Sequence, residues 1–570
     1  MPSLTRLPAS FPPTTHHSDL KAFYGKERSN QAKSMYVFRR VTSHNDRRLI
    51  RYDDVGRDIT IDMLPDEVLL DIFGFYVGEA QNVHGEALKV RAWQLLVHVS
   101  RRWRIIVFGS QHRLDLRLVW TPLKPVSDTL EVWPALPLVI RGWLDPPNHA
   151  DNLIALLGHS DRVCEIDLTT TNCDLKPILT AMNVPFPQLT HLRHESYSSI
   201  LEPVVPDSFL SGSAPHLRSI AFRSLPFPGL PKLLPSVARL VTLHLTNISQ
   251  SGYFSPEALV TGLSTLTSLE DLRLRFQAYV SVPQYPPPVT RSVLPTLTSF
   301  EFKGRSEYSE YFVARIDAPR LNNLKIIYLY QRDFDASQLV RFYNRIPMFT
   351  VPKEVHLVYI NAACQTDLGS VTRFSLVPTT GNGQFYVEIV SAHMTRQFSP
   401  LLRLCTSFSR IISTPELLYI YERGLSFTQE QYQEDDIENM EWLAILCQFI
   451  AVNELHLSKS FASRIAPALQ TLVRERVTEV LPSLQNIFLE VTPIPGGIQH
   501  FFALFASRIV PTLQMLVGER VTGVLPFLQY IYLEGTPVPG GIRHFFALRR
   551  RSSHPIAISR WNEASKLMKW

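Results

Sequence analysis

A short apolar signature returns at nearly constant intervals along the middle of the chain, and it restricts the fold more than any other feature. It reads apolar, two variable residues, apolar, one variable residue, apolar. It occurs at Val163-Ile166-Leu168, Leu189-Leu192-His194, Leu217-Ile220-Phe222, Leu240-Leu243-Leu245, Leu269-Leu272-Leu274, Leu297-Phe300-Phe302 and Leu321-Leu324-Ile326. The first positions are 26, 28, 23, 29, 28 and 24 residues apart. In FPQLTHL, APHLRSI, LPTLTSF and APRLNNL a proline stands two residues before the first apolar position. Each unit can supply one short strand and one returning helix or loop. None buries its apolar face alone, so stacked neighbours must complete the core.

The period resembles that of the leucine-rich repeat, whose units run roughly 20–29 residues. The asparagine that closes that motif is absent from most units, and His194 takes a core leucine position. The expected fold class is therefore α/β, with an irregular leucine-rich-repeat-like solenoid and a parallel sheet over residues 161–460. Further units follow with wider spacing at Val355-Leu357 and Val452-Leu455-Leu457.

Residues 461–504 and 505–548 repeat one another, differing at 11 of 44 aligned positions. Each copy reads as a helix, a strand (Leu484-Ile487-Leu489 or Leu528-Ile531-Leu533) and a Pro-Gly-Gly turn. Such a tandem duplication extends the solenoid by one unit or leaves one copy poorly accommodated. Residues 549–570 read as a tail.

The 570 residues are 45% apolar and 19% charged, an ordinary globular balance, and the net charge of +6 is too diffuse to call for a nucleic-acid partner. The five cysteines are odd in number and lack CxxC spacing, which favours reduced thiols over a disulfide framework or a four-ligand zinc site. Without a signal-peptide core or an apolar run of about 18 residues, the expectation is a soluble intracellular protein, cytoplasmic or nuclear, with no membrane partner.

Residues 1–58 are polar and carry scattered basic residues, the composition of a solvated tail or of a nuclear-import signal. Apolar density rises at Ile59 and opens a helical module over 59–110. Pro65 suits a first helical position and Asp66 and Glu67 suit the first turn. Leu64, Val68, Ile72 and Phe75 make one apolar stripe, and Leu69, Phe73 and Tyr76 make a second. One stripe can serve the module's own core and leave the other for a partner. Gly78 to Glu86 reads as a loop, and Ala87 to Phe108 as one further helix. Residues 111–160, rich in Trp and Pro, read as a structured linker that caps the repeats.

Leu64-Pro65-x-Glu67-Val68-Leu69-x-x-Ile72-Phe73, followed by Val99-Ser100-Arg101-Arg102-Trp103-Arg104, resembles the F-box signature. The later phrases PELLYIYERG and MEWLAILCQFIAVNELHLS and the ending HPIAISRW resemble F-box proteins with degenerate leucine-rich repeats from mushroom-forming fungi. The resemblance implies a small all-α F-box module that docks on a Skp-type adaptor and through it on a cullin scaffold. The repeats would then present a protein substrate for ubiquitin transfer. Leu64, Pro65, Glu67, Leu69, Ile72, Phe73, Val99 and Trp103 would build the module and its adaptor surface. A repeat scaffold for protein–protein contacts, without ligase assembly, is the other role this architecture allows.

The chain has no GxxxxGK[ST] loop, no HExxH and no GxSxG, so the reading is non-enzymatic, with no cofactor and no metal site. His500 and His544 are equivalent positions of the duplicated units, so their recurrence carries no catalytic meaning. Because strand side chains alternate, the face opposite the repeat core takes Arg193, Arg223, His244, Asp271, Arg273, Arg275, Glu301, Lys303 and Lys325. Basic residues outnumber acids in that set. It is either a solvated face or a docking surface for a partly acidic protein segment, with Arg223, His244, Arg273, Arg275 and Lys303 as the contacts.

Overall fold

The computed structural model describes residues 61–84, 86–121, 125–126, 130–144, 150–171, 175–197, 203–277, 291–329, 335–349, 351–361, 370–379, 383–391, 399–423, 436–458, 480–491, 530–535, 544–551, 554–562 and 565–568. The chain divides into two compact units, Met1–Asp66 and Glu67–Trp570. In the first, Ile61–Met63 form a 3-10 turn, and the Leu64 N–H donates to the Ile61 carbonyl at 3.2 Å. The basic segment read as 1–58 lies outside the described residues.

Three helices come first: α1 (Asp66–His84), α2 (Glu86–Val97) and α3 (Arg101–Gly109). Two expectations change here. The loop expected from Gly78 to Glu86 is mostly helix, since Glu79, Ala80 and Gln81 are good helix formers that continue α1. The single helix expected from Ala87 to Phe108 is broken. Ser100 is extended (φ −154°, ψ 164°), and its hydroxyl accepts the Trp103 N–H at 3.1 Å, so it starts a new helix as an N-cap.

The strands follow. They are β1 (Leu118–Trp120), β2 (Leu138–Leu144), β3 (Val163–Thr170), β4 (His191–Ser196), β5 (Ser219–Arg223), β6 (Thr242–Ile248) and β7 (Asp271–Phe276). Next come β8 (Ser292–Val293), β9 (Ser299–Gly304), β10 (Ile316–Asp317), β11 (Asn323–Leu329), β12 (Pro352–Asn361), β13 (Ser370–Pro378) and β14 (Gln384–Ser391). The last are β15 (Leu417–Arg423), β16 (Glu454–Leu457), β17 (Asn486–Val491), β18 (Tyr530–Gly535), β19 (His544–Arg551), β20 (His554–Asn562) and β21 (Ser565–Met568).

One sheet takes 19 of these strands, and β8 pairs with β10 apart from it. From β1 to β7, then through β9 and β11, every neighbour is parallel. The fold is thus mixed α/β with a large, mostly parallel sheet. Among the described residues no helix is long and apolar enough to cross a membrane.

All seven expected signatures fall on these strands or just before them. Ile166, Leu192, Ile220, Leu243, Leu272, Phe300 and Leu324 stand in register as one buried row. Leu168, His194, Phe222, Leu245, Leu274, Phe302 and Ile326 form the next. His194 sits in that row 7% exposed, with Nε2 3.3 Å from the Thr170 hydroxyl and Nδ1 without a partner.

The returning segments stack behind the strands. Gly262, in the helix Pro256–Leu263, shows how closely: a Cβ there would lie 2.9 Å from the Pro231 carbonyl oxygen of the preceding unit. Glu310, in the helix Ser306–Ala314, accepts the N–H of Gln338 at 2.7 Å and of Leu339 at 3.1 Å. It thereby caps the helix Ser337–Arg345 of the next unit, whose own N-terminal residue makes no side-chain cap.

Three departures from a uniform parallel array stand out. First, residues 111–160 are more than a linker, because β1 and β2 already belong to the parallel sheet. Second, β12, β13 and β14 enter as an antiparallel meander in reversed order. β14 lies beside β11, and β12 lies beside β15, both in parallel. Third, residues 549–570 are not only a tail, since β19, β20 and β21 close the sequence antiparallel. The duplicated units both contribute strands. Asn486–Val491 pairs in parallel with Tyr530–Gly535 at an offset equal to the 44-residue period. Their expected helices and Pro-Gly-Gly turns lie outside the described residues.

Candidate functional surfaces

On α1 the two apolar stripes part company. Leu69 and Phe73 are fully buried, with Leu70 and Val77 beside them in the core. Val68, Ile72 and Phe75 are exposed, Phe75 by 76%. Tyr76, expected in the inner stripe, is also exposed. Trp103 of α3 closes the module from the other side, its ring 4.7 Å from that of Phe73. Trp93 is buried, donates to the Arg117 carbonyl at 3.2 Å and meets Trp133 edge-on, which ties the helices to the start of the sheet.

Leu69 and Phe73 were expected to take part in adaptor binding. With no exposed area they hold the module together instead. Glu67, Ile72 and Val99 are exposed, Val99 lying in the break before α3. Leu64 is half-buried and Pro65 exposed.

The second surface is the sheet face away from the core. One register row crosses it: Arg141, Asp167, Arg193, Ala221, His244, Arg273, Glu301, Lys325, Tyr386, Ser375, His356, Tyr419, His456 and Phe488. In most strands this is the variable residue between the last two apolar positions of the signature. The next outward row holds Glu195, Arg223, Thr246, Arg275, Lys303, Ile327, Glu388 and Arg373.

The expected residues do share this face, but it is less basic than the sequence reading held. Carboxylates from the same strand and from neighbouring strands interleave with the cations. Arg141 pairs with Glu165, and Arg193 pairs with Glu195 at 2.7 Å. Asp271 takes both His244 at 2.8 Å and Arg273 at 2.9 Å. Arg275 grips Glu301 through two bonds of 3.0 and 2.9 Å, and Lys325 reaches the same carboxylate at 3.4 Å. Burial resists ionisation of Glu301 and Asp271, yet these partners outweigh it and hold both below the usual carboxylate value. Reversing Arg275 to Glu would set a second carboxylate against buried Glu301, so that change perturbs the fold as well as any docking.

On this face, two cations of the described residues are in no ion pair. Arg223 is exposed, in no ion pair, and lies 5.0 Å over the Tyr197 ring. Lys303 is half-buried with no ion pair. Burial, and then the neighbouring Arg275, lower its pKa. Around Arg223 the face dips into a hollow of about 410 Å³ whose lining includes Asp167, Arg193, Glu195, His244 and Thr246.

Beyond the meander the row changes character. His356, Tyr419, His456 and Phe488 stack ring on ring, with centroids 4.5, 4.3 and 4.3 Å apart. Glu354 holds His356 at 3.1 Å. Burial lowers the His456 pKa to about 4, so this rung is uncharged at neutral pH. Sequence reasoning missed the ladder because its members are 32 to 63 residues apart. The usable signal was that each occupies the variable position between two apolar residues of its own strand. No protein-family model and no curated protein matches the chain.

Proposed function

We propose that this protein is the substrate receptor of a Skp–cullin–F-box ubiquitin ligase, built as an F-box-like module and a leucine-rich-repeat-like solenoid. The observation that carries the reading is the division of α1. Leu69 and Phe73 spend their apolar surface on the module's core, while Val68, Ile72 and Phe75 leave theirs in water. A contiguous exposed apolar stripe on a helix costs about 25 cal/mol per Å² in water and is relieved by a partner. A Skp-type adaptor is that partner, as the Leu64-Pro65-x-Glu67 and Val99-Ser100-Arg101-Arg102-Trp103 phrases imply.

The outward sheet face is the substrate surface in this reading. Its free cations Arg223 and Lys303, with His244, Arg273 and Arg275 around them, favour a partly acidic protein segment. The receptor supplies no nucleophile. It raises the local concentration of substrate near an enzyme carried elsewhere in the assembly.

Co-expression with a Skp-type adaptor tests this. Wild type should co-purify with the adaptor, and Leu64→Ala/Pro65→Ala should lose at least about tenfold in affinity, some 1.4 kcal/mol, with an unchanged circular dichroism spectrum. A wild-type chain that does not associate leaves a repeat scaffold without ligase assembly.

A further inference from the structure

Ala221 is the smallest side chain in the register row that crosses the sheet, and it stands between Arg193 on β4 and His244 on β6. The hollow of about 410 Å³ opens there, with Ser219 and Thr242 towards one end and Arg223 towards the other. Most of the charge around it is already matched. Glu165 pairs with Arg141, and Glu195 takes Arg193 at 2.7 Å and the Tyr197 hydroxyl at 2.9 Å. His244 is held by Asp271 at 2.8 Å, and His191 lies 2.9 Å from the Thr190 hydroxyl. Two groups of opposite sign are left. Asp167 accepts no hydrogen bond among the described residues, and its ion pair, to Arg193 Nε, is long at 3.7 Å and shared with Glu195. Burial holds its carboxyl above the usual pKa, although Arg193 and Arg141 pull it down. Arg223 is in no ion pair among the described residues; Glu195 feels its charge but is bonded to Arg193 and Tyr197.

We propose that the hollow over Ala221 takes two oppositely charged side chains of one substrate segment, a lysine or arginine against Asp167 and an aspartate or glutamate against Arg223. This rests on the receptor reading and names the substrate class more closely: the segment carries a base as well as an acid. Asp167 stands two strands from Ala221 in the same row, and Arg223 is two residues further along β5. At about 4.8 Å per strand and about 3.3 Å per residue, the Cα atoms of Asp167 and Arg223 are about 12 Å apart. Residues four apart on one side of an extended segment span about 13 Å, so a single strand-like stretch presents both charges. A wholly acidic segment would meet Glu165, Asp167 and Glu195 with like charge, and a wholly basic one would meet Arg193 and Arg223.

The test is selection of a displayed random dodecapeptide library on the immobilised full chain, followed by fluorescence anisotropy of the enriched peptides. Wild type should enrich sequences that carry both a basic and an acidic residue. Asp167→Asn should weaken a selected peptide about tenfold and leave its basic residue replaceable by glutamine without further loss, and Arg223→Gln should do the same for its acidic residue. Ala221→Phe fills the hollow without touching a charge and should abolish binding; if it folds poorly, the two charge variants still decide. No enrichment by wild type, enriched sequences of one sign only, or affinities unchanged in Asp167→Asn and Arg223→Gln overturn the proposal. Adaptor binding on the same preparations reads the receptor proposal separately.

Discussion

Glu310→Ala is expected to lower the unfolding free energy by about 3 kcal/mol, because two N–H groups at a helix N-terminus lose their acceptor at once. The carboxyl group reaches from one unit to the helix of the next, accepting from the N–H groups of Gln338 and Leu339. In a stacked architecture such a link is part of the coupling between neighbours, so its loss should also broaden the unfolding transition. Burial raises the Glu310 pKa from 4.5 to about 8, despite the two backbone bonds that oppose the shift. The folded protein then binds a proton that the unfolded chain has released. Stability is fully present below pH 4.5 and falls as pH rises to about 8, by on the order of 4 kcal/mol. Glu310→Gln should flatten that alkaline slope. Urea titrations at pH 5, 6, 7 and 8 measure both effects, and a Gln variant with the wild-type slope would refute the assignment.

His194 produces the opposite slope. Burial lowers its pKa from 6.5 to about 4, so the folded state holds the imidazole neutral. Its contribution is fully present above pH 6.5 and is lost as pH falls to about 4, on the order of 3 kcal/mol over that window. His194→Leu restores the side chain that the repeat pattern calls for and removes the partnerless Nδ1. It should stabilise the protein by about 1–3 kcal/mol at neutral pH and by more at pH 5. Thermal melts at pH 7 and pH 5 decide it; a variant less stable than wild type at pH 5 would mean that the imidazole contributes favourably where it is.

These residues show what the sequence made legible. The core rows could be read because each repeat writes its own strand, as in Leu240-Leu243-Leu245, and every neighbour needs the same spacing. His194 was visible as an exception to that rule. The meander was hidden because Phe385, Val387 and Ile389 alternate without the leading apolar residue three places earlier, while Val371-Phe374-Leu376 fits the signature yet runs antiparallel to both neighbours. Their reversed order is a matter of pairing, which no single strand encodes. The first two strands were masked by the prolines and tryptophans around them. Glu310 was unreadable for a different reason: its partners, 28 and 29 residues on, are backbone groups and leave no trace in residue type. On the outward face, the sequence reading overlooked Glu165 and Glu388, which become partners only when the strands align, and Glu195, which pairs with Arg193 two residues earlier on the same strand.

The central claim is that α1 faces two ways, inward through Leu69 and Phe73 and outward through Ile72 and Phe75. Titrating a labelled Skp-type adaptor against four proteins tests it most directly: wild type, Ile72→Asp/Phe75→Asp, Leu69→Ala and Phe73→Ala, each with its melting temperature. The outward pair should lose at least about 100-fold in affinity, some 2.7 kcal/mol, without a change in melting. The inward variants should melt lower, each destabilised by about 2–5 kcal/mol. An Ile72→Asp/Phe75→Asp protein that binds the adaptor as wild type does would contradict the account.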